Sequence, residues 1–191
     1  SSSIYGDEVT LPMREDARPQ PVSPYGVTKL AAEQLCYLYY VNHSVPTVAL
    51  RYFTVYGPRQ RPDMGFARFF EAVLHDEPVA MFGDGRQTRD FTFVSDAVSA
   101  AVASATRGTP GGVYNIGGGS RVELLDVFEL IRIITGRALR LSRLEAQRGD
   151  MRDTYADTTR ARTDLAFAPT VTLEQGLRAQ YEWITASNDK R

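Results

Sequence analysis

Apolar and polar positions alternate along this chain in two rhythms, and the change from one to the other marks out its elements. Helical spacing predicts helices over 24–42, 66–75, 94–106, 122–134 and 173–186, with a shorter one near Thr158. Between them lie short runs of strand character. Residues 47–53 read as a strand of the buried type, followed by 79–82, 113–116 and 139–141. Ile4-Tyr5, ahead of Gly6, reads as the tail of a further strand ending in a turn. Pro and Gly punctuate the joins, as at Gly57-Pro58 and Pro110-Gly111-Gly112. Helix and strand in alternation argue an α/β fold.

Composition narrows the function. With 191 residues, 43% of them hydrophobic, the chain is long enough for one core, or for a core plus part of another. A net charge of −1 argues against nucleic-acid binding, which calls for a basic stripe. No apolar run approaches the length of a membrane span, so no membrane partner is expected. No metal site is expected either. Cys36 is the single cysteine, set in an apolar helical segment; a buried free thiol is expected there, which fits a reducing cytoplasm.

One residue type is conspicuous by its scarcity. Of 22 basic residues 20 are Arg, and Lys29 and Lys190 are the only lysines. Lys29 closes the stretch Tyr25-Gly26-Val27-Thr28-Lys29, and Ser23-Pro24 before it reads as a helix cap followed by Pro at the first helical position. Positions 25 and 29 then share one helical face. A tyrosine used as a general base needs its pKa, about 10 in water, drawn toward neutrality, and a nearby ammonium does that. The pair also needs a hydroxyl partner. Ser1-Ser2-Ser3 can supply one.

Taken together, Ser1-Ser2-Ser3-Ile4-Tyr5-Gly6, Ser23-Pro24-Tyr25-Gly26-Val27-Thr28-Lys29 and Arg51-Tyr52-Phe53-Thr54-Val55-Tyr56-Gly57-Pro58 resemble the extended short-chain dehydrogenase/reductase family. The likeness runs along essentially the whole chain and is nearest to its nucleotide-sugar epimerases and dehydratases, above all the UDP-glucuronate 4-epimerases. It implies a catalytic set of Ser1, Tyr25 and Lys29. Tyr25 would remove the sugar hydroxyl proton while NAD takes the hydride, and Lys29 would hold the nicotinamide ribose. Tyr25, Lys29, Tyr52 and Phe53 would line the cofactor. The implied architecture is the C-terminal part of a Rossmann-type doubly wound sheet plus a smaller mixed α/β substrate lobe. Residues 1–60 would be the remnant of the NAD-binding domain and 61–191 mainly the nucleotide-sugar lobe, with 90–106 packing back on the Rossmann part.

The family's opening Gly-rich turn, which brings backbone amides to the cofactor pyrophosphate, has no counterpart here. Gly117-Gly118-Gly119-Ser120 is the only Gly cluster, and Val122 stands where a third spaced Gly would be needed. It reads as a strand-to-helix turn with Ser120 as cap. The chain therefore looks like the C-terminal part of a longer enzyme, inactive by itself, and the choice between NAD and NADP is not legible in it.

The resemblance also implies a substrate site. The arginine matching Arg89 contacts the diphosphate, an aromatic matching Phe82 packs on the uracil, and Asp150 matches the ribose ligand. Arg148 or Arg152 would add a phosphate contact, whereas Arg86 reads as a solvated loop charge and Asp157 as a helix cap. Dehydratases of the family need Asp-Glu where Ser2 and Ser3 stand, and decarboxylases usually carry Glu at the place of Ser3; a simple epimerase remains. Thr54, Arg61 and the paired serines resemble the grip on the C6 carboxylate in UDP-glucuronate 4-epimerases. Arg61 can equally pair with Asp63 or a helix end. A UDP-glucose 4-epimerase, a UDP-glucuronate decarboxylase and a catalytically silent dinucleotide-binding protein remain as alternatives. A homodimer is implied, with Leu35, Tyr37, Leu38 and Tyr40 as candidates for its face, although core packing accounts equally for an apolar helix.

Overall fold

The computed structural model describes residues 1–7, 9–146 and 149–188. Its elements are α1 (Pro24–His43), β1 (Ala49–Tyr52), β2 (Val55–Tyr56), α2 (Gly65–Leu74), β3 (Val79–Phe82), β4 (Thr88–Asp90), β5 (Thr92–Phe93) and α3 (Val94–Arg107). They continue with β6 (Val113–Ile116), β7 (Arg121–Glu123), α4 (Leu124–Thr135), β8 (Leu141–Leu144), α5 (Thr159–Leu165) and α6 (Leu173–Asn188). The strands pair two by two. β1–β6, β2–β5 and β3–β8 are parallel, and β4–β7 is antiparallel. Parallel pairs need helical crossovers, and the sequence alternation supplies them.

Three apolar clusters hold the frame. Ala100 of α3 and Ala161 and Leu165 of α5 pack with Tyr114 and Ile116 of β6, and Leu50 and Tyr52 of β1 lie against them. Ile4, Tyr5, Phe53, Met13, Met151 and Ala156 form a second cluster beneath the serine-rich turn. The third is the core of the outer lobe, where Phe66 and Phe70 of α2 meet Phe128 and Ile131 of α4 and Leu177 of α6. Tyr56 stands among Phe66, Phe91 and Phe93, each edge-on to its ring or tilted nearby in the same group.

α1 behaves differently. Ser23 caps it by accepting from the Gly26 N–H at 3.1 Å, and Pro24 occupies its first turn, as the sequence predicts. Gly26 is its only buried residue. Cys36 is a half-buried free thiol rather than a buried one, and Leu35, Tyr37 and Leu38 of α1 stand exposed.

Several local expectations are corrected. Ser2–Ile4 is a turn of 3-10 helix capped by the Ser1 side chain, not a strand end. Val122 belongs to β7, so the helix expected from 122 begins at Leu124, and Ser120 does not cap it; Glu123 stands at the cap without a side-chain bond. The strand expected at 139–141 lies at Leu141–Leu144, where it pairs with β3. β2, β4, β5 and β7 went unread because two- or three-residue strands hold too few positions to show a period.

Candidate active site

The C-terminal end of β1, the start of α1 and the serine-rich turn meet around a cavity of about 550 Å³. Ser1, Ser2, Ser3, Tyr25, Lys29, Tyr52 and Thr54 all line it, and so do Arg89 and Asp150 from the outer lobe. The mouth of an α/β fold at the carboxyl ends of its strands is where such folds bind ligands.

One wall is set by local chemistry. Tyr25 and Lys29 are one turn apart on α1, and the Lys29 Nζ lies 5.3 Å from the centre of the Tyr25 ring. The Ser1 Oγ is 2.8 Å from the Ser3 Oγ and accepts from the Ser3 N–H at 3.3 Å. Both hydroxyls thus belong to one small polar cluster at the foot of the helix. Tyr52 is half-buried, and burial pushes its phenol up, so it enters the cavity as a neutral group.

The opposite wall is ionic. Arg89 donates to Asp150 Oδ1 at 2.9 Å, and its other terminal nitrogen donates to the Thr88 and Arg152 carbonyls at 2.9 and 2.8 Å. The guanidinium is thereby fixed in place with Asp150 beside it. A second cavity of about 380 Å³ opens from this wall. Phe82, Phe66, Phe69 and Phe91 give it an aromatic lining, and it shares Thr54, Met64, Arg89 and Asp150 with the first. One continuous cleft therefore runs from hydroxyls and an amine, past a cation, to an aromatic slot.

Not every expected residue reaches it. Arg61 donates to both carboxylate oxygens of Asp63, at 3.1 and 3.0 Å, and lines neither cavity. Phe53 has its ring fully buried in the second cluster and lines neither cavity. Arg86 is exposed on its loop. Arg152 points to Asp84 at 3.5 Å, while Arg148 lies outside the described residues. Asp157 accepts from the Thr159 N–H at 2.9 Å at the start of α5. Met64, Gln60, Gln87 and Thr154 line the cleft without having been read from the sequence. A lone Met or Gln in a loop carries no signal of its own.

The Gly-rich turn after β6 serves packing. Asp90, fully buried, accepts from the Gly118 N–H at 2.6 Å and the Ala156 N–H at 3.0 Å. Burial pushes its carboxyl up to about 6, against the pull of these amides. A Cβ on Gly118 would overlap the Phe91 carbonyl, so the turn needs Gly to pass so close. Among the described residues no three His, Cys, Asp or Glu side chains gather as a metal would require, and no helix is long and apolar enough to cross a membrane.

A parallel α/β frame with a cleft at its strand ends is the layout of a ligand-binding enzyme fold of Rossmann type. The model of the NAD dependent epimerase/dehydratase family matches residues 1–117, and the chain belongs to that family. It is 41% identical over 189 residues to an uncharacterized UDP-glucose epimerase, YtcB, of Bacillus subtilis, covering 97% of this chain and 59% of that one. To a UDP-glucuronate 4-epimerase of Thermodesulfobacterium geofontis it is 35% identical, covering 96% of this chain and 57% of the relative. The crystal structure of UDP-glucuronic acid 4-epimerase from Bacillus cereus, in complex with UDP-glucuronic acid and NAD, superposes with a TM-score of 0.94 at 44% identity, covering 98% of this chain and 60% of that one. The chain thus spans about three fifths of the length of these relatives, and the family resemblance read from its three motifs is borne out.

Proposed function

We propose that the whole protein is an NAD-dependent 4-epimerase of a UDP-sugar, interconverting UDP-glucuronate and UDP-galacturonate through a 4-keto intermediate. The observation that carries this reading is the gathering of Ser1, Tyr25 and Lys29 with Arg89, Asp150 and Phe82 along one cleft. The relatives, two of them 4-epimerases of UDP-glucuronate by name, support it.

The roles follow from chemistry. Tyr25 takes the proton of the C4 hydroxyl as general base, with the Ser1 hydroxyl bridging sugar and phenol. Lys29 holds the cofactor ribose beside the Tyr25 ring. Tyr52 and the backbone at Phe53 flank the cofactor. These residues fit NAD, since Lys29 is exposed on the cleft wall with no ion pair among the described residues. NAD, when bound there, would supply the hydride acceptor and donor for C4. Arg89 grips the diphosphate, Asp150 the ribose diol and Phe82 the uracil. Ser2 and Ser3 offer hydroxyls where β-elimination would demand a carboxyl acid, so the 4-keto sugar is turned rather than dehydrated.

A 4-keto uronic acid is a β-keto acid, and it loses CO2 when its carboxylate lines up with the carbonyl. Thr54, Ser2, Ser3 and Arg61 hold the C6 carboxylate out of line in this reading. A second reading, a UDP-glucose 4-epimerase, is favoured by one observation, the engagement of Arg61 with Asp63 outside the cleft. In either case residues 1–60 belong to the NAD-binding domain and 61–191 mainly to the sugar-nucleotide lobe, with 90–106 packed on the former. The exposed Leu35, Tyr37, Leu38 and Tyr40 of α1 support a homodimer. A free thiol fits the cytoplasm.

Incubating the whole protein with UDP-glucuronate and NAD+, and resolving products by proton NMR, tests the reading. UDP-galacturonate without CO2 release is expected. UDP-xylose or a 4-keto pentose would make the enzyme a decarboxylase, and turnover of UDP-glucose alone would move it to the second reading.

A further inference from the structure

Tyr25, Lys29 and Glu33 follow one another at intervals of four along α1, so they form one stripe. A lysine and a glutamate at this spacing are within reach of each other. Here they do not pair. Among the described residues Lys29 makes no ion pair within 4.0 Å, while both oxygens of Glu33 are taken by Arg51 of β1, Oε2 from Nε at 2.8 Å and Oε1 from Nη2 at 2.7 Å. The pair is deeply placed, its side chains 5% and 10% exposed.

Arg51 is itself fixed from the far side. Its Nη1 donates to the Tyr5 hydroxyl at 2.7 Å and to the Glu15 carbonyl at 3.1 Å. Tyr5 donates in turn to Asn115 Oδ1 of β6 at 2.6 Å. Burial pushes the Tyr5 phenol up, so it is a neutral partner. The Glu15 carboxylate is committed to the Asn115 N–H at 2.8 Å. Asp16, Arg18 and Cys36 line the adjoining cavity without a bond to the pair. Arg51 is therefore the side chain bonded to Glu33, and the Ser1 amino group is a further charge within reach of Glu33, Arg51 and Lys29.

We propose that Arg51 is a positioning residue for the Tyr25–Lys29 pair: by capturing Glu33 it withholds a carboxylate from Lys29 and leaves the ammonium free for the phenol and the cofactor. This rests on the role given above to Tyr25 and Lys29. The device joins β1, the serine-rich turn through Tyr5, and α1, so one guanidinium fixes both the geometry and the charge of the catalytic wall.

Charge signs make the test specific. In Arg51→Met the freed Glu33 stands one turn from Lys29. Glu33 lies two turns, about 12 Å, from Tyr25, so at an effective dielectric of about 20–80 the acid limb of the kcat–pH profile moves to higher pH by about 0.3–1 units. Glu33→Gln leaves the cation uncompensated and moves the same limb to lower pH. The double variant Arg51→Met/Glu33→Gln returns it near the wild-type position. Loss of kcat or of melting temperature with the limb unmoved in both single variants would reduce Arg51 to a structural role and overturn the proposal.

A second measurement needs no turnover. With lysine carrying 13C at Cε in the NAD-bound whole protein, the Lys29 signal, assigned by its loss in Lys29→Arg, is titrated in the same variants. Its midpoint is expected to rise in Arg51→Met and to fall in Glu33→Gln; an unmoved midpoint overturns the proposal. Should Arg51→Met fail to fold, the near-isosteric Glu33→Gln carries the test alone. A wild-type protein that turns over no UDP-sugar sinks the functional reading, and the Lys29 titration still decides the role of Arg51.

Discussion

The carbonyl of Ser3 passes so close to Gly26 that a Cβ there would overlap its oxygen and stand 2.9 Å from the Pro21 side chain. The glycine after the tyrosine thus lets the serine-rich turn lie on the first turn of α1, which brings Ser1 and Tyr25 onto one cavity. Gly26→Ala forces the two apart. We expect a loss of about 1–3 kcal/mol of stability in thermal or urea unfolding of the whole protein, with a larger fall in kcat than in NAD affinity. Full activity at unchanged stability would show that the turn can give way.

Tyr25 has one hydroxyl and no packing duty, being 57% exposed. Tyr25→Phe is therefore expected to leave the fold and NAD binding intact while turnover falls about 10²–10⁴-fold, the usual worth of a general base. Bound NAD is read by absorbance and turnover by NMR. Retained turnover would remove Tyr25 from the chemistry.

Arg61 and Asp63 are 74% and 68% exposed, and a surface pair of this kind is worth at most about 1 kcal/mol. A substrate carboxylate can thus replace Asp63 at little cost. Arg61→Ala is expected to lower kcat/KM for UDP-glucuronate at least tenfold more than for UDP-glucose, about 1.4 kcal/mol of selective binding. Equal losses on both substrates would leave Arg61 a structural residue.

Asp90 makes stability depend on pH in an uncommon direction. Its carboxyl stands at about 6 when folded, against an ordinary 3.8. The folded state therefore binds the proton more tightly, so between pH 6 and 4 it holds more protons than the unfolded chain and stability falls as pH rises. The cost is fully present above pH 6 and is relieved as pH drops through that window, up to about 3 kcal/mol. Asp90→Asn, which keeps the shape and removes the titrating proton, should lack this slope. Denaturation midpoints of both proteins from pH 4 to 7 check it, and parallel curves would refute it.

Arg89 and Asp150 stood out in the sequence only through the motifs around them. Their contact at 2.9 Å joins positions 61 residues apart, and no periodicity reports such a meeting. The same limit hid Gln60, Met64 and Thr154, which enter the cleft because β2, β4 and the segment after β8 fold over it. Short strands are stabilised by their partners, and a partner 30 or 60 residues away leaves no trace in a local window.

By itself the sequence determined the long elements and the stripe of α1. Pro24 and Ser23 fix where that helix starts, and a spacing of four puts Tyr25, Lys29 and Glu33 on one face whatever lies around them. Only the tertiary structure decided what each member of the stripe meets. Glu33 sits equally well placed for Lys29 as for a cation elsewhere, and it is the approach of β1 that gives it to Arg51. Local geometry is written in backbone periodicity, whereas the choice between two competing ion pairs depends on which one is buried, and burial is a property of the folded whole.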